Sequence, residues 1–153
     1  MFLTPHTAVA LLITTQSNNP FFAFIFGIIS HFILDFIPHG DWAFANHKEG
    51  RRERAIYMLK AAFIDVLFTV ALIYFFVTKY SRPFSPYVLM GAVSGVALPD
   101  VLWITIDIFK LKFLYWYIKF HSYVHKLIKL DYSFIYGIPF QIFVVLLIMK
   151  IIF

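Results

Sequence analysis

Five apolar blocks, separated by short polar or basic segments, constrain the fold of this chain more than any other feature of its sequence. They cover residues 2–15, 20–37, 55–78, 85–109 and 134–153. Charged residues make up only 14% of the chain, compared with about 25% in soluble domains. Apolar blocks near the length of a bilayer crossing indicate helices rather than alternating strands. The pattern therefore predicts one all-α domain over residues 1–153, a polytopic membrane bundle of about five hydrophobic helices.

Two segments depart from this simple pattern. The first block is short for a membrane span, so its helix either crosses a locally thinned bilayer or enters only partway. The N-terminal residues lack the basic segment and cleavage site of a secretory signal, and we expect this helix to be retained. Residues 110–130 are apolar and basic at once, which is typical of an amphipathic helix at the membrane interface.

The basic residues predict the orientation of the chain. Ten of the thirteen lysines and arginines lie in or beside two segments, one between blocks two and three and the other between blocks four and five. The positive-inside rule places both segments in the cytoplasm. We therefore expect a multi-pass protein of the cell membrane with its N-terminus in the cytoplasm and its C-terminus outside.

The net charge of +5 does not indicate nucleic-acid binding, because the basic residues cluster at the ends of apolar blocks, where topology signals lie. The lipid bilayer is the expected partner. The chain contains no cysteine, which excludes disulfide bonds and thiolate metal sites.

Ionisable residues stand inside or beside the apolar blocks, although each costs roughly 2.5–3.5 kcal/mol to insert into a membrane. Under the predicted orientation they gather toward the cytoplasmic face. They are His6, His31, Asp35, His39, Asp41, Asp65, Asp100, His121 and His125. The orientation was derived from lysine and arginine residues alone. The location of these histidine and aspartate residues near one face is therefore independent support for a shared site.

Spacing indicates what the site binds. His31 and Asp35 stand one helical turn apart and share a face, and His121 and His125 repeat this spacing on the amphipathic segment. Imidazole nitrogens and carboxylate oxygens suit zinc, iron or manganese. We expect a divalent metal, with zinc as first choice and manganese or iron as alternatives. The candidate ligands are His6, His31, Asp35, His39, Asp41, His121 and His125.

Each residue also has a structural explanation. His31 and Asp35 could form a hydrogen-bonded pair that joins two helices, as polar residues do in membrane bundles. Asp65 could pair with Lys60 or with a backbone partner. The two histidines of the amphipathic segment could contact lipid headgroups only.

Four motifs occur in the order T-P-H, S-H-F-I-L-D-F-I-P-H-G-D, L-P-D and F-H-S-Y-V-H. In this the chain resembles a largely uncharacterised family of small integral-membrane proteins assigned as metal-dependent hydrolases. The resemblance covers nearly the whole chain, and residues 31–41 are its most specific part. It implies a polytopic helical fold with a metal centre built from His6, His31, Asp35, His39, Asp100, His121 and His125.

Two functions follow as hypotheses. The first is a membrane-embedded metal-dependent hydrolase at the cytoplasmic headgroup level, acting on a phosphoester or a lipid-linked phosphate. Asp100 or Asp65 would then be the general base or would orient a ligand. The alternative is a non-catalytic metal- or proton-binding membrane protein, such as a small carrier or an assembly partner. A carrier is disfavoured because the candidate groups lie toward one face and leave no path through the bundle.

Overall fold

The computed structural model describes residues 1–39, 51–125, 127–128 and 134–153, and this part of the chain is all-helical with no strand. The all-α prediction is therefore confirmed. The six α-helices of the described residues are α1 (Leu3–Gln16), α2 (Pro20–Phe36), α3 (Arg51–Lys79), α4 (Pro86–Phe109), α5 (Tyr115–Val124) and α6 (Phe134–Ile152). A single 3₁₀ turn, Lys112–Leu114, leads into α5.

Within the described residues, two helical stretches are long and apolar enough to cross a membrane, Ile56–Lys79 of α3 and Pro86–Phe109 of α4. The expected number of about five such helices is not reached. The apolar stretches Pro20–Phe36 of α2 and Tyr136–Ile152 of α6 are shorter, and α1 has only 14 residues. At about 1.5 Å per residue, α2 is about 25 Å long, which is less than the roughly 30 Å of a hydrocarbon core.

The two long helices do not resemble core helices of a soluble protein. Only 11% of the apolar window of α3 and 28% of that of α4 is buried. Large apolar side chains such as Phe63, Phe68, Met90 and Ile108 are exposed instead. Large exposed apolar surfaces of this kind are typical of proteins that contact a membrane or a partner protein.

Glycine residues let α2 and α4 approach each other closely. A Cβ atom at Gly27 would lie 2.7 Å from the carbonyl oxygen of Ala92, and one at Gly95 would collide with the carbonyl oxygen of Phe24. Gly91 and Gly95 follow the small-xxx-small spacing that brings helix backbones together. This contact fixes the relative position of the helices that carry His31, Asp35 and Asp100.

Although α1 is short, it is central. It contacts α2, α3, α4 and α6, and Ala8, Ala10 and Leu11 on it are fully buried. Ala8 and Leu11 pack in one cluster with Phe76 of α3 and Ile148 of α6. The first apolar block is therefore the hub of the bundle rather than a peripheral segment.

The N-terminus of α1 is capped by a side chain from α3. Phe2 provides no side-chain cap. Asp65 accepts hydrogen bonds from the backbone N–H groups of Leu3 at 2.5 Å and Thr4 at 3.1 Å, and from the Thr4 hydroxyl at 2.5 Å. The carboxylate thus satisfies N–H groups that have no partner inside the helix, and it lies at the positive end of the helix dipole.

Gly95→Ala tests the close contact between α2 and α4. Alanine normally stabilises a helix interior by roughly 0.5–1 kcal/mol relative to glycine. Here the added Cβ meets the backbone of Phe24, and overpacking of this kind costs about 1–3 kcal/mol. We expect a lower Tm for the detergent-purified variant. Ser94→Ala, at the exposed neighbouring position, is the matched control and should leave the Tm unchanged or higher. A Tm for Gly95→Ala equal to that of the control would contradict the contact.

Candidate metal centre

Asp35 lies at the centre of a histidine cluster. Its side chain is 1% exposed, although it projects from an apolar helix. Its Oδ2 atom lies 2.9 Å from Nε2 of His31, 3.1 Å from Nε2 of His125 and 3.9 Å from Nε2 of His121. Its Oδ1 atom lies 3.2 Å from Nε2 of His6. Four imidazole rings, from α1, α2 and the end of α5, therefore face one buried carboxylate.

The packing of α2 explains how this carboxylate is placed. Ala23, Gly27, His31 and Asp35 are buried on α2 at intervals of four residues, which puts them in one stripe along the helix. The first two allow the close approach of α4. The last two continue the same stripe and consequently point into the space between the helices.

The backbone orients two of the histidine rings. Nδ1 of His31 lies 2.8 Å from the carbonyl oxygen of Val96, and Nδ1 of His39 lies 2.7 Å from the carbonyl oxygen of Ile37. A carbonyl oxygen only accepts hydrogen bonds, so each Nδ1 carries a hydrogen. In the neutral ring Nε2 then presents a lone pair, which is the arrangement of most metal-ligating histidines.

The surroundings of Nε2 of His31 require a positive charge. This atom lies 2.9 Å from Oδ2 of Asp35 and 3.4 Å from Nε2 of His121. A lone pair on a neutral imidazole and a carboxylate oxygen repel each other at 2.9 Å. A proton or a metal cation must therefore lie among these atoms.

Among the described residues, several buried polar atoms of the cluster make ion-pair contacts at most and no hydrogen bond of regular geometry. They are Nδ1 and Nε2 of His6, Oγ1 of Thr7 and Oδ2 of Asp35. The His6 ring stacks on His31 with centroids 4.3 Å apart. An unpaired buried polar atom costs roughly 1–3 kcal/mol. A cation bound to Oδ2 of Asp35 would supply the missing interaction there, so the residues fit a metal ion.

Two overlapping groups in the described part of the chain could each hold a metal ion. In each group, one nitrogen or oxygen atom per residue lies within 4.8 Å of the others. The first group is His31, Asp35, Asp100 and His121, and the second is Asp35, His39 and His125. Both offer the nitrogen and oxygen donors that borderline divalent cations accept.

Asp100 stands at the edge of the first group. Its Oδ1 atom lies 3.4 Å from Nε2 of His121 and 3.8 Å from Nε2 of His31, both longer than the 2.9 Å and 3.1 Å contacts of Asp35 with His31 and His125. Its side chain is 37% exposed. Asp100 is thus more exposed than Asp35, the other carboxylate of these groups.

One further positive group lies in the cluster. The amino nitrogen of Met1 is 2.6 Å from Oδ1 of Asp35 and 2.7 Å from Nε2 of His39. A buried carboxylate is tolerated when charge of opposite sign lies beside it. The ammonium group provides this for one of the two carboxylate oxygens.

The structure brings most of the predicted site residues together, namely His6, His31, Asp35, His39, Asp100, His121 and His125. Asp65 is not part of either ligand group, because its oxygens cap α1. The expected catalytic role of Asp65 is therefore replaced by the alternative of a backbone partner. Asp41 lies outside the described residues.

Two residues beside the cluster were not predicted. Gln141 of α6 is buried, accepts a hydrogen bond from the Phe2 N–H at 3.0 Å and donates one to the His39 carbonyl at 3.3 Å. A lone amide inside the last apolar block was an available signal. Tyr117 donates its hydroxyl hydrogen to the carbonyl of Pro99 at 3.0 Å. It is one of nine tyrosines, and its spacing gave no signal.

The Tyr117 hydroxyl group is protonated at neutral pH and acts as a hydrogen-bond donor. Burial, with the nearby negative charges of Asp100 and Asp35, raises its pKa to about 12. Its hydroxyl group therefore stays protonated and holds the backbone at Pro99, the residue before Asp100.

No protein-family model, no curated protein and no solved structure matches this chain. The resemblance to membrane-bound metal-dependent hydrolases accordingly remains a prediction.

Proposed function

We propose that this protein is a membrane-embedded metal-dependent hydrolase that acts at the cytoplasmic headgroup level. The observation that carries the proposal is the convergence of imidazole nitrogens on the buried carboxylate of Asp35. His31 has its Nδ1–H bonded to a carbonyl, and its Nε2 lies 2.9 Å from Oδ2 of Asp35. Such a pair favours a cation between its members.

The proposed topology is multi-pass. α3 and α4 cross the bilayer, and the shorter apolar helices α1, α2 and α6 cross where the bilayer thins around the bundle. The loops rich in lysine and arginine face the cytoplasm. In support, Phe113 and Trp116 are exposed beside the exposed Lys112 and Lys119 around the start of α5, as expected of an interfacial helix.

The chemistry divides between bound and exposed groups. A divalent cation held by His31, Asp35 and His121 would supply Lewis acidity and activate water near neutral pH. Asp100 lies beside these ligands and is partly exposed, so it can accept a proton from that water and pass it to solvent. Tyr117 keeps the backbone before Asp100 in place through its bond to Pro99.

The position of the cluster suggests the substrate class. α5 carries His121 and presents aromatic and lysine side chains on its exposed surface. Lysine residues at the membrane surface attract anionic headgroups. An amphiphilic phosphoester, such as a lipid-linked phosphate, would therefore be concentrated next to the cluster.

Metal analysis tests the ligands. His31→Ala and Asp35→Asn should each reduce the divalent metal bound to detergent-purified protein by roughly tenfold or more. Loss of a residue that hydrogen-bonds to a metal ligand typically lowers metal affinity by about 10–100-fold, and loss of the ligand itself should cost at least as much. Asp65→Asn is the matched control, since this carboxylate caps α1, and it should retain metal. Equal metal content in all three variants would show that the His31–Asp35 pair is a structural contact.

Cysteine labelling tests the orientation, and the natural chain offers no competing thiol. A cysteine at Ser81, in the exposed turn between α3 and α4, should react with a membrane-impermeant reagent in intact cells. A cysteine at Lys119 on α5 should react only after the cells are opened. Labelling of Lys119→Cys in intact cells would reverse the proposed orientation.

Turnover of a panel of amphiphilic phosphoesters tests the reaction. Asp100→Asn should retain metal but lose about 10²–10⁴-fold in rate, as expected for loss of a general base. Asp107→Asn, on the same helix and exposed in a pair with Lys110, should keep both. Loss of metal in Asp100→Asn would make Asp100 a ligand instead. Bound metal without hydrolysis by the natural chain would favour the non-catalytic metal-binding function.

A further inference from the structure

Asp35 is the one residue shared by the two ligand groups of the described chain. The first group adds His31, Asp100 and His121, and the second adds His39 and His125. We infer that its carboxylate bridges two divalent cations. The inference rests on the proposed metal centre and extends it from one cation to two.

Two pairs of imidazole rings flank this carboxylate. His31 and His121 form one pair, with ring centroids 5.7 Å apart. His39 and His125 form the other pair, with centroids 5.3 Å apart. Together with one oxygen of Asp35, each pair supplies three protein donors. Three protein ligands and an open position characterise catalytic rather than structural metal sites.

The helical spacing of α5 produces this division. His121 and His125 stand one turn apart, with ring centroids 4.8 Å apart. Nε2 of His125 lies 3.1 Å from Oδ2 of Asp35, and Nε2 of His31 lies 2.9 Å from the same atom. Ligands from both pairs therefore reach the carboxylate at once, as a bridging position requires.

The second position favours a positive charge. The ammonium group of Met1 lies against Oδ1 of Asp35 and Nε2 of His39, and a cation held by His39 and His125 would take over its interaction with the carboxylate. Oδ2 of Asp35, which lies 2.9 Å from Nε2 of His31 and 3.1 Å from Nε2 of His125, then completes the bridge.

Charge balance specifies the ligand that a two-cation centre attracts. Two divalent cations carry four positive charges and the Met1 ammonium group carries a fifth, whereas the two carboxylates in these groups, Asp35 and Asp100, carry two negative charges. The remaining positive charge suits a phosphate group. A pair of cations roughly 3.5–4 Å apart can bind both the attacking and the leaving oxygen of such a substrate.

Manganese is the probe for the experiment, because two bridged Mn²⁺ ions give an exchange-coupled electron paramagnetic resonance spectrum and an isolated ion does not. The full chain, purified in detergent and stripped with a chelator, is loaded with Mn²⁺. We expect two Mn²⁺ per chain and a coupled spectrum. His125→Ala, at the partly exposed edge of the cluster, and His39→Ala should each bind one Mn²⁺ with an uncoupled spectrum. Asp107→Asn should behave as the natural chain does.

The outcomes separate the two proposals. One Mn²⁺ per chain, unaffected by His125→Ala and His39→Ala, would overturn the bridge and leave a single-metal centre at His31 and His121. Two Mn²⁺ with an uncoupled spectrum would also overturn the bridge. No binding of Mn²⁺, Zn²⁺ or Co²⁺ by folded protein would overturn the proposed function as well.

Discussion

A carboxylate held inside an apolar bundle has to be compensated, and the buried charge of Asp35 organises the rest of this structure. An uncompensated buried ion costs several kcal/mol. Imidazole rings from three helical elements and the amino group of Met1 surround this one side chain. Backbone carbonyls orient the rings of His31 and His39. Side chains and backbone that are distant in sequence therefore converge on one carboxylate.

One face of α2 carries both the small residues that pack against α4 and the candidate metal ligands. Ala23 and Gly27 allow the backbone of α4 to come close, and His31 and Asp35 follow them at the same four-residue interval. Since the interval is fixed by helix geometry, the close contact at one end sets the position of the site at the other. A shift of α2 along α4 would displace both ligands together.

Helical periodicity made part of the site predictable. The four-residue spacing of His31 and Asp35, and that of His121 and His125, identified shared faces before any fold was known. Periodicity within a helix does not say which faces of different helices meet, so the backbone partner of Asp65 at the start of α1 was only one of the alternatives. The central position of α1 was also not evident, because its small buried residues Ala8 and Ala10 give little amphipathic contrast. Apolar composition marked five blocks but did not give helix length, and two helical stretches of the described residues reach the length of a span.

The segments that form the histidine cluster are synthesised at different times. His31 and His121 are 90 residues apart in sequence, a distance that a ribosome covers in about 5–18 s at 5–20 residues per second. During that interval α2 exists with its aspartate but without the rings of α5. The contacts of Asp35 with Met1, His6 and His31, all in the first third of the chain, can therefore form before those with His121 and His125 of the last third.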